Sequence, residues 1–383
     1  MKKIIAVFIN TIFVFVLFFT GCASEKVHNN SISAQDTHTN AEAKANIQQE
    51  NKEEKSIGNN EKKTDLIKFN IGYLASTGHV LYFVAQEKGF FKEEGLDTEL
   101  FLFNNSGEGM NAIVAGKLDA GSFGTSTPLV FISKGSDLTI FGGQMSEGHA
   151  IIAKPEKADE LSDIKNFRGK TLATVRLATG DIVFRGAFTD EGIDWKNDII
   201  INEMESPAAV LEAVKKGSVD AGVVWTPYRK IAEDQGLKIV QFSSEVSNMD
   251  NHPCCRQAAL TERIKENPEK YEKFMAALIK AYKFYVTNKD ETLDILSKYV
   301  KIDKAILEAE TYGEHIGSNP DPNKEGVLKF WDFMKKIEYI PTDDNINIEE
   351  HINTQIYKNA LNKILEEYPN DPVYNQLKAD FKE

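Results

Sequence analysis

Two stretches of the chain repeat each other, and this repeat constrains the fold more than any other feature. The first copy reads GFFKEEGLD at residues 89–97 and AIVAGKLDAG at 112–121. The second copy reads GAFTDEGID at residues 186–194 and AVKKGSVDAG at 213–222. Because two copies are too few for a solenoid, the repeat favours two similar lobes with a ligand cleft between them.

The first 21 residues predict a targeting segment rather than part of the fold. Lys2 and Lys3 precede an almost wholly apolar run at 4–19, and the segment ends at Thr20-Gly21-Cys22. Small residues before a Cys resemble the lipobox of bacterial lipoproteins, in which the signal is cut before the Cys and the Cys is lipidated. An uncleaved anchor helix and a plain secretory signal with a chance Cys are the alternatives. We predict a signal peptide over 1–21 and lipidation of Cys22.

Residues 22–65 predict a disordered tether, because the segment has no aromatic residue and is rich in Asn, Glu, Lys, Gln and Ser. A flexible tether would keep a globular domain close to the membrane without holding it in one orientation. The whole chain has 45 Lys and Arg against 58 Asp and Glu, a formal net charge of −13. This acidic balance argues against nucleic acid and against an anionic membrane surface as partners.

The rest of the chain alternates predicted strands and helices, which indicates an α/β fold with mainly parallel sheets. We predict that residues 66–150 and 256–320 form lobe I and that residues 151–255 form lobe II. The C-terminal helices of residues 321–383 are predicted to pack on lobe I. Their aromatic residues are interpreted as core, because apolar residues recur there at three-to-four spacing.

Small polar residues follow the predicted strands at matched points of both halves, where ligands bind in open parallel sheets. Helix starts at these points offer unpaired N–H groups to an anionic oxygen, although the same residues could serve only as helix caps. Arg176 could bind an oxyanion or form a surface salt bridge, and Trp225 could line the cleft or the core. The predicted ligand-binding residues are Ser76, Thr77, His79, Asn105, Ser106, Glu108, Thr125, Thr127, Gln144, Arg176, Thr179, Ser206, Trp225 and Arg256.

Three motifs carry a resemblance to a known family: GHVLYFVAQEKGFF at 78–91, GKLDAG at 116–121 and VDAGVVWTPY at 219–228. They are similar to the solute-binding proteins of ABC importers for nitrate, sulfonate, taurine and related solutes. That family also holds binders of thiamine-pyrimidine precursors. The likeness covers most of residues 66–365, and it implies a two-lobe, type II periplasmic-binding-protein-like fold. In such a fold, hinged lobes close on a solute.

The resemblance implies a small-molecule solute, an ABC permease and its ATPase as partners. We therefore expect a monomeric, extracytoplasmic protein, anchored to the bacterial cell membrane through lipid on Cys22, that captures a sulfonate-, nitrate- or taurine-like oxyanion. A thiamine-pyrimidine-type heterocycle, a metal complex and a sensing role are the alternatives. One branch of the family includes pyrimidine-forming enzymes. However, no nucleophile elbow, HExxH or Walker motif is present, so we predict neither catalysis nor a cofactor.

Two stretches depart from a plain sulfonate binder, and both fall where the chain is predicted to cross between lobes. One contains Glu147 and His149, and the other contains His252, Cys254 and Cys255. These are residue types that bind zinc, copper or iron, although adjacent cysteines lack the usual CxxC spacing. The adjacent cysteines could also form a strained vicinal disulfide or remain as buried thiols. Any metal is unknown, and thiols or a disulfide in the cleft wall are favoured.

Overall fold

The computed structural model of the protein describes residues 66–246, 249–343 and 345–383. Within these residues eleven strands form two sheets. The strands are β1 (Ile67–Leu74), β2 (Leu96–Phe103), β3 (Ala120–Gly124), β4 (Leu138–Glu147), β5 (His149–Ala153), β6 (Thr171–Val175), β7 (Ile200–Met204), β8 (Ala221–Trp225), β9 (Lys238–Phe242), β10 (Pro253–Leu260) and β11 (Ile316–Ser318).

The first half of the molecule denotes the first of the two sheets with the helices packed on it, and the second half denotes the second sheet with its helices. Helices alternate with strands in both halves, and a longer helical series follows β10. They are α1 (Val80–Glu87), α2 (Phe90–Glu93), α3 (Ser106–Val114), α4 (Ser126–Ser133), α5 (Pro155–Leu161), α6 (Thr179–Asp190), α7 (Pro207–Lys216), α8 (Tyr228–Asp234), α9 (Thr261–Glu266), α10 (Pro268–Thr287), α11 (Lys289–Tyr299), α12 (Lys304–Tyr312), α13 (Lys324–Lys336), α14 (Gln355–Glu367) and α15 (Pro372–Asp380). None of the helices in the described residues combines the length and apolar character that a membrane span requires.

The two sheets have the same plan. The first has the strand order β11-β4-β10-β3-β1-β2, and the second has the order β7-β6-β8-β5-β9. In each, the outer three strands are parallel, as in β2-β1-β3 and β7-β6-β8. The next strand is antiparallel and arrives directly from the other sheet, so both sheets are mixed.

The internal repeat has a structural cause in both sheets. Each repeated LDAG or VDAG run leaves a helix through a glycine with positive φ, Gly116 or Gly217, and enters β3, which pairs with β1, or β8, which pairs with β6. The repeated aspartate then accepts a backbone N–H of that parallel neighbour, at 2.7 Å for Asp119 to β1 and 2.8 Å for Asp220 to β6. The matching letters therefore occupy equivalent helix–turn–strand positions and anchor equivalent strand pairs.

The chain passes between the sheets twice, and the passages differ by a few residues from the predicted lobe boundaries. The first passage turns at Gly148, whose φ is +89°, so β5 belongs wholly to the second sheet. The second passage ends before Pro253, where β10 begins. The predicted boundaries at 150/151 and 255/256 therefore fall inside β5 and β10.

The C-terminal helices pack on both halves of the molecule, not on the first half alone. Helix α14 packs against α10 and β4 of the first half. Helix α13 reaches α6 of the second half, where the Phe333 ring occupies the space that a side chain at Gly186 would need. Just beyond it, Trp195 donates its indole N–H to the carbonyl of Ile337 at 3.2 Å. The prediction that 321–383 packs on lobe I therefore omits the docking of α13.

A buried ion pair joins α12 to the second half. Arg229 Nε donates to Glu310 Oε2 at 3.0 Å, and both side chains are almost fully buried. The second carboxylate oxygen of Glu310 accepts the backbone N–H of Lys230 at 3.0 Å. The Glu310 carbonyl also accepts the hydroxyl groups of Thr77 and Thr226, which belong to opposite halves. Glu310 thus connects both halves where they meet.

Candidate functional site

A small enclosed cavity lies between the two sheets, at the carboxyl ends of their parallel strands. Its volume is about 20 Å³, measured as the space open to the centre of a water molecule. A cavity needs about 10–15 Å³ on this measure to hold one water, so any larger solute requires side chains or lobes to move. It is lined by Leu74, Ser76, His79, Ser106, Gly124, Met145, His149, Ala178, Thr179, Trp225, Cys254 and Cys255.

Side-chain hydroxyl groups hold the two halves together around this cavity. Ser76 donates to the carbonyl of Thr226 at 3.0 Å, and Thr179 donates to the carbonyl of Cys254 at 2.9 Å. Ser126 and Thr127 both donate to the carbonyl of Leu177, at 2.7 and 2.9 Å. Strand ends of the first half are thereby bonded to loops of the second, which describes a closed arrangement of the two halves.

Eight of the residues singled out from the sequence line the cavity: Ser76, His79, Ser106, His149, Thr179, Trp225, Cys254 and Cys255. They come from loops or strand ends of both sheets, as strand-end reasoning predicts. Which of them contact a solute stays a prediction.

Arg176 lies away from the cavity, contrary to its predicted place in the ligand site. Its side chain is 66% exposed, and its Nε is 3.8 Å from a carboxylate oxygen of Glu203 on the neighbouring strand. Leu177, the next residue, has a φ of +65°, so the chain turns sharply there. This turn directs Ala178 and Thr179 to the cavity while Arg176 stays at the surface. Of the two alternatives for Arg176, the surface ion pair is the one that the structure shows.

Arg256 is also absent from the cavity lining, although it is buried. Its Nε donates to the carbonyl of Pro322 at 2.9 Å, and its Nη1 donates to the carbonyls of Met145 at 2.9 Å and Cys255 at 2.8 Å. Burial lowers the pKa of Arg256 to about 10, so the guanidinium is charged at neutral pH. It holds the backbone of both sheet crossings in place instead of facing a solute.

The other predicted ligand residues use their polar atoms for capping or packing. Asn105 caps α3, and Ser206 caps α7. Thr77 donates to the carbonyl of Glu310, and the Gln144 side chain accepts from Gln257. None of these lines the cavity, and the same holds for Glu108, which is exposed, and for Thr125 and Thr127, which are buried.

Both cysteines face the cavity because β10 is irregular at this point. Consecutive residues of a regular strand point to opposite faces. The register of β10 against β4 shifts between Pro253 and Cys255 and again between Cys255 and Arg256, as in a β-bulge. The two thiols are free, with their sulfur atoms 3.3 Å apart, and Cys254 Sγ is 3.6 Å from His149 Nε2.

The structure does not assemble the predicted metal-ligand set. The carboxylate of Glu147 accepts the backbone N–H of Asn251 at 2.7 Å and is not part of the cavity lining. Across the described parts of the chain, no group of three or more His, Cys, Asp and Glu residues is arranged to hold a metal ion. Of the three alternatives for the cysteine pair, the structure shows buried free thiols.

Burial keeps the two cavity histidines and the Cys254 thiol uncharged at neutral pH. It lowers the pKa of His79 to about 4. It also lowers the pKa of His149 well below its usual value, and repulsion from His252, when that ring is protonated, and from Arg229 adds to this effect. Burial raises the pKa of the Cys254 thiol well above its usual range. The site therefore presents neutral imidazoles and a neutral Cys254 thiol.

The start of α6 lies beside the cavity and has no side-chain cap, as is also true of the start of α4 after Gly124. Ala178 precedes α6 and makes no side-chain capping bond, whereas α3 and α7 are capped by Asn105 and Ser206. The first N–H groups of a helix have no partner within the helix. The N–H of Ala178 donates to the carbonyl of Val175 at 3.1 Å, so the N–H groups from Thr179 onward are the ones left for an acceptor atom in the cavity.

Four lining residues were missed by the sequence reasoning: Leu74, Gly124, Met145 and Ala178. Leu74 and Gly124 are the last residues of β1 and β3, so a search that included apolar strand ends would have found them. Met145 and Ala178 lie beside residues that had been singled out for their polar groups. Polar residues were predicted to bind the ligand, whereas most of the surface inside this cavity is apolar.

We expect the two cavity thiols to react slowly with maleimide in the native protein. Cys254 and Cys255 are only 2% and 6% exposed, and the thiolate is the reactive form. A raised thiol pKa lowers the thiolate fraction about tenfold for each unit. Mass spectrometry of a Cys22→Ala variant at pH 8, in buffer and in urea, would measure the rates. Equal rates in the two conditions would contradict the closed arrangement.

Comparison with known sequences finds one family model and several relatives, most of them named as binding proteins. The model of a family described as the NMT1-like family matches residues 62–300. A putative binding protein of Brucella abortus is 28% identical over 251 residues, 64% of this chain and 76% of that protein. A putative aliphatic sulfonates-binding protein of Bacillus subtilis is 24% identical over 291 residues, 73% of this chain and 84% of that protein. The 4-amino-5-hydroxymethyl-2-methylpyrimidine phosphate synthase THI5 of Saccharomyces cerevisiae is 25% identical over 235 residues, 57% of this chain and 66% of the enzyme.

Solved structures share the fold. The periplasmic nitrate-binding protein NrtA of Synechocystis matches with a TM-score of 0.69 at 17% identity, over 78% of this chain and 89% of that one. The periplasmic aliphatic sulphonate binding protein SsuA of Escherichia coli matches with a TM-score of 0.62 at 17% identity, over 74% of this chain and 91% of that one. These matches confirm the predicted periplasmic-binding-protein-like α/β fold with a C-terminal helical segment.

Proposed function

The chain belongs to the NMT1-like family, and we propose that it is the extracytoplasmic solute-binding component of an ABC importer. The observation that carries the proposal is the cavity enclosed between two sheets and lined by strand ends of both. Ligands in open α/β sheets bind beyond the carboxyl ends of strands, and two-lobe binding proteins close around their ligands. The solute would be captured in this cavity and delivered to a membrane permease with its ATPase.

The proposal is supported by relatives whose names describe binding, one of them for aliphatic sulfonates. The sequence favours a sulfonate-, nitrate- or taurine-like oxyanion. In the structure, the uncapped start of α6 is a donor for such an oxygen, but Arg176 is not at the cavity. The choice between an oxyanion and a neutral solute therefore depends on the charge of the lining residues.

A pyrimidine-forming enzyme is the second candidate, because one matching relative is a phosphate synthase. The cavity offers little support for it. A catalytic acid or base needs a pKa near the working pH, whereas burial shifts the pKa of His79, His149 and Cys254 away from neutrality. A binding role requires no proton transfer and agrees with neutral, buried side chains. Sensing through a membrane receptor uses the same cavity and is distinguished by the partner.

Native mass spectrometry of the protein as purified, followed by a thermal-shift screen, tests the binding role. The screen would contain sulfonates, nitrate, bicarbonate, pyrimidines and metals. We expect one solute class to raise the melting temperature in a concentration-dependent way, because a ligand that binds only the folded state stabilises it. A co-purified solute that is consumed and converted during incubation would favour the enzyme instead.

The lipid anchor of the proposal rests on Cys22, which lies outside the described residues. We expect Cys22→Ala to release the protein from the membrane or to block its processing. Fractionation of expressing cells, with mass spectrometry of the mature N-terminus, would measure both. Cys254→Ala is the matched control, because it removes a thiol without removing the predicted acylation site. A wild-type protein that begins elsewhere and stays soluble would contradict the anchor.

A further inference from the structure

The cavity contains no charged side chain. None of its twelve lining residues is Lys, Arg, Asp or Glu. Its two histidines, His79 and His149, are buried, and the pKa of each lies below the usual histidine value. An anion held there would be desolvated without a cationic partner, which costs several kcal/mol unless hydrogen bonds fully replace its water.

Three arginines close in sequence to lining residues are already bound to other groups. Arg256 donates to three backbone carbonyls behind β10. Arg229 is paired with the buried carboxylate of Glu310. Arg176 is exposed and lies beside Glu203. None of the three can donate a hydrogen bond to an anion in the cavity without breaking a bond that the closed structure makes, although the charges of Arg229 and Arg256 act on the Cys254 thiol there.

The start of α6 provides hydrogen-bond donors but little positive potential. Asp181 lies in its first turn, is buried, and accepts from Arg185 Nε at 2.9 Å. An acidic group in the first turn already compensates the positive end of the helix dipole. The N–H groups of the first turn, from Thr179 onward, can therefore bind a neutral acceptor, such as a carbonyl or sulfonyl oxygen.

Part of the cavity wall is rich in sulfur. Met145, Cys254 and Cys255 form one buried cluster, and Trp225 closes the cavity from the second sheet. Thioether, thiol and indole groups are polarizable, and sulfur makes favourable contacts with aromatic rings. Such a wall favours a solute whose body is aromatic or contains sulfur, and it offers no strong donor to an anion.

We propose that the solute is an uncharged small molecule with one acceptor oxygen or nitrogen and a sulfur-containing or heteroaromatic body. This inference rests on the proposed function and specifies its solute class. The acceptor atom would lie at the start of α6, and the body would lie against Met145, Cys254, Cys255 and Trp225. It replaces the oxyanion that strand-end chemistry and the family resemblance favoured.

Matched pairs of probes test the charge directly. Methanesulfonamide is compared with methanesulfonate, and thiazole-4-carboxamide with thiazole-4-carboxylate, by calorimetry on the full-length protein at neutral pH. We expect the neutral member of a pair to bind at least about tenfold more tightly, because the anion loses its hydration without gaining a cation. Tighter binding of the anionic member overturns the proposal.

Native mass spectrometry of the purified protein gives an independent arm. A co-purified neutral molecule supports the proposal, and a co-purified anion overturns it while leaving the binding role intact. If neither a probe pair, a co-purified molecule nor any compound of the thermal-shift screen binds, the proposed function fails and this inference fails with it.

Two variants separate the cavity wall from the surface. Cys255→Ser replaces sulfur by a smaller, harder oxygen, and we expect several-fold weaker binding of thiazole-4-carboxamide with an unchanged circular-dichroism spectrum. Arg176→Ala is the control, because its side chain is 66% exposed, and we expect it to change no probe affinity. If the anionic probes bind more tightly than the neutral ones to the wild-type protein and lose that advantage in Arg176→Ala, the solute is an oxyanion that binds Arg176, and the proposal is wrong.

Discussion

Replacing Glu310 by alanine is expected to lower the free energy of unfolding by about 3–5 kcal/mol. The substitution leaves Arg229 buried without its carboxylate, because Arg229 Nε donates to Glu310 at 3.0 Å and both side chains are almost fully buried. It also removes the acceptor of the Lys230 backbone N–H. Urea denaturation followed by circular dichroism would measure the loss.

Asp294→Ala is the matched control for the ion pair. Asp294 pairs with Lys304 at 2.6 Å, but the side chains are 67% and 53% exposed. Water screens such a pair, and exposed pairs contribute about 0–1 kcal/mol. If Glu310→Ala and Asp294→Ala lower the free energy of unfolding by similar amounts, burial does not determine how much the Glu310 ion pair contributes to stability.

Phe274→Ala is expected to cost a similar amount, about 3–5 kcal/mol, because it empties the centre of an aromatic cluster. The Phe274 ring stacks on Phe69 at 4.7 Å and on Phe91 at 5.8 Å between centroids, and it contacts Tyr82 and Phe141 at 6.0 Å. The cluster attaches α10 to the first sheet and to α1. The same denaturation experiment measures the effect.

Leu102→Ala serves as the control for apolar truncation. Leu102 lies on the edge strand β2 and is 57% exposed, so its removal leaves no cavity. Exposed substitutions of this kind stay within about 0.5 kcal/mol. A loss in Phe274→Ala no larger than that in Leu102→Ala would mean that α10 is not a core element of the first half.

The architecture was accessible from the sequence because its signals are local and repeated. The βα alternation, the glycine-terminated helices and the repeated aspartates each reflect a contact that both halves make independently. The docking of α13 on the second half was not accessible. It depends on the absence of a side chain at Gly186, about 150 residues from Phe333, and no periodicity connects the two.

The site was accessible in position but not in chemistry. Strand ends identified where the cavity lies, and they included Ser76, His79, Ser106 and Thr179. The direction of the Arg176 side chain could not be predicted from the sequence, because it depends on the turn at Leu177, and leucine rarely adopts positive φ. The orientation of Cys254 and Cys255 depends on a bulge in β10, which sequence patterning does not reveal.

The reciprocal placement of β5 and β10 has a consequence for how the protein acquires its fold. Each strand lies inside the sheet opposite to the one that its preceding strand belongs to. The second sheet is therefore built from the continuous stretch β5–β9, whereas the first sheet combines β1–β4 with β10 and β11. The first sheet receives β10, and joins β3 to β4, only after the entire second half has been made. Pairings over such sequence separations pay their loop-closure entropy before they gain contacts, which makes them slow to form. The first sheet should therefore be completed after the second, and a nascent chain that stops before Pro253 should expose the unpaired edges of β3 and β4 to aggregation or to chaperones.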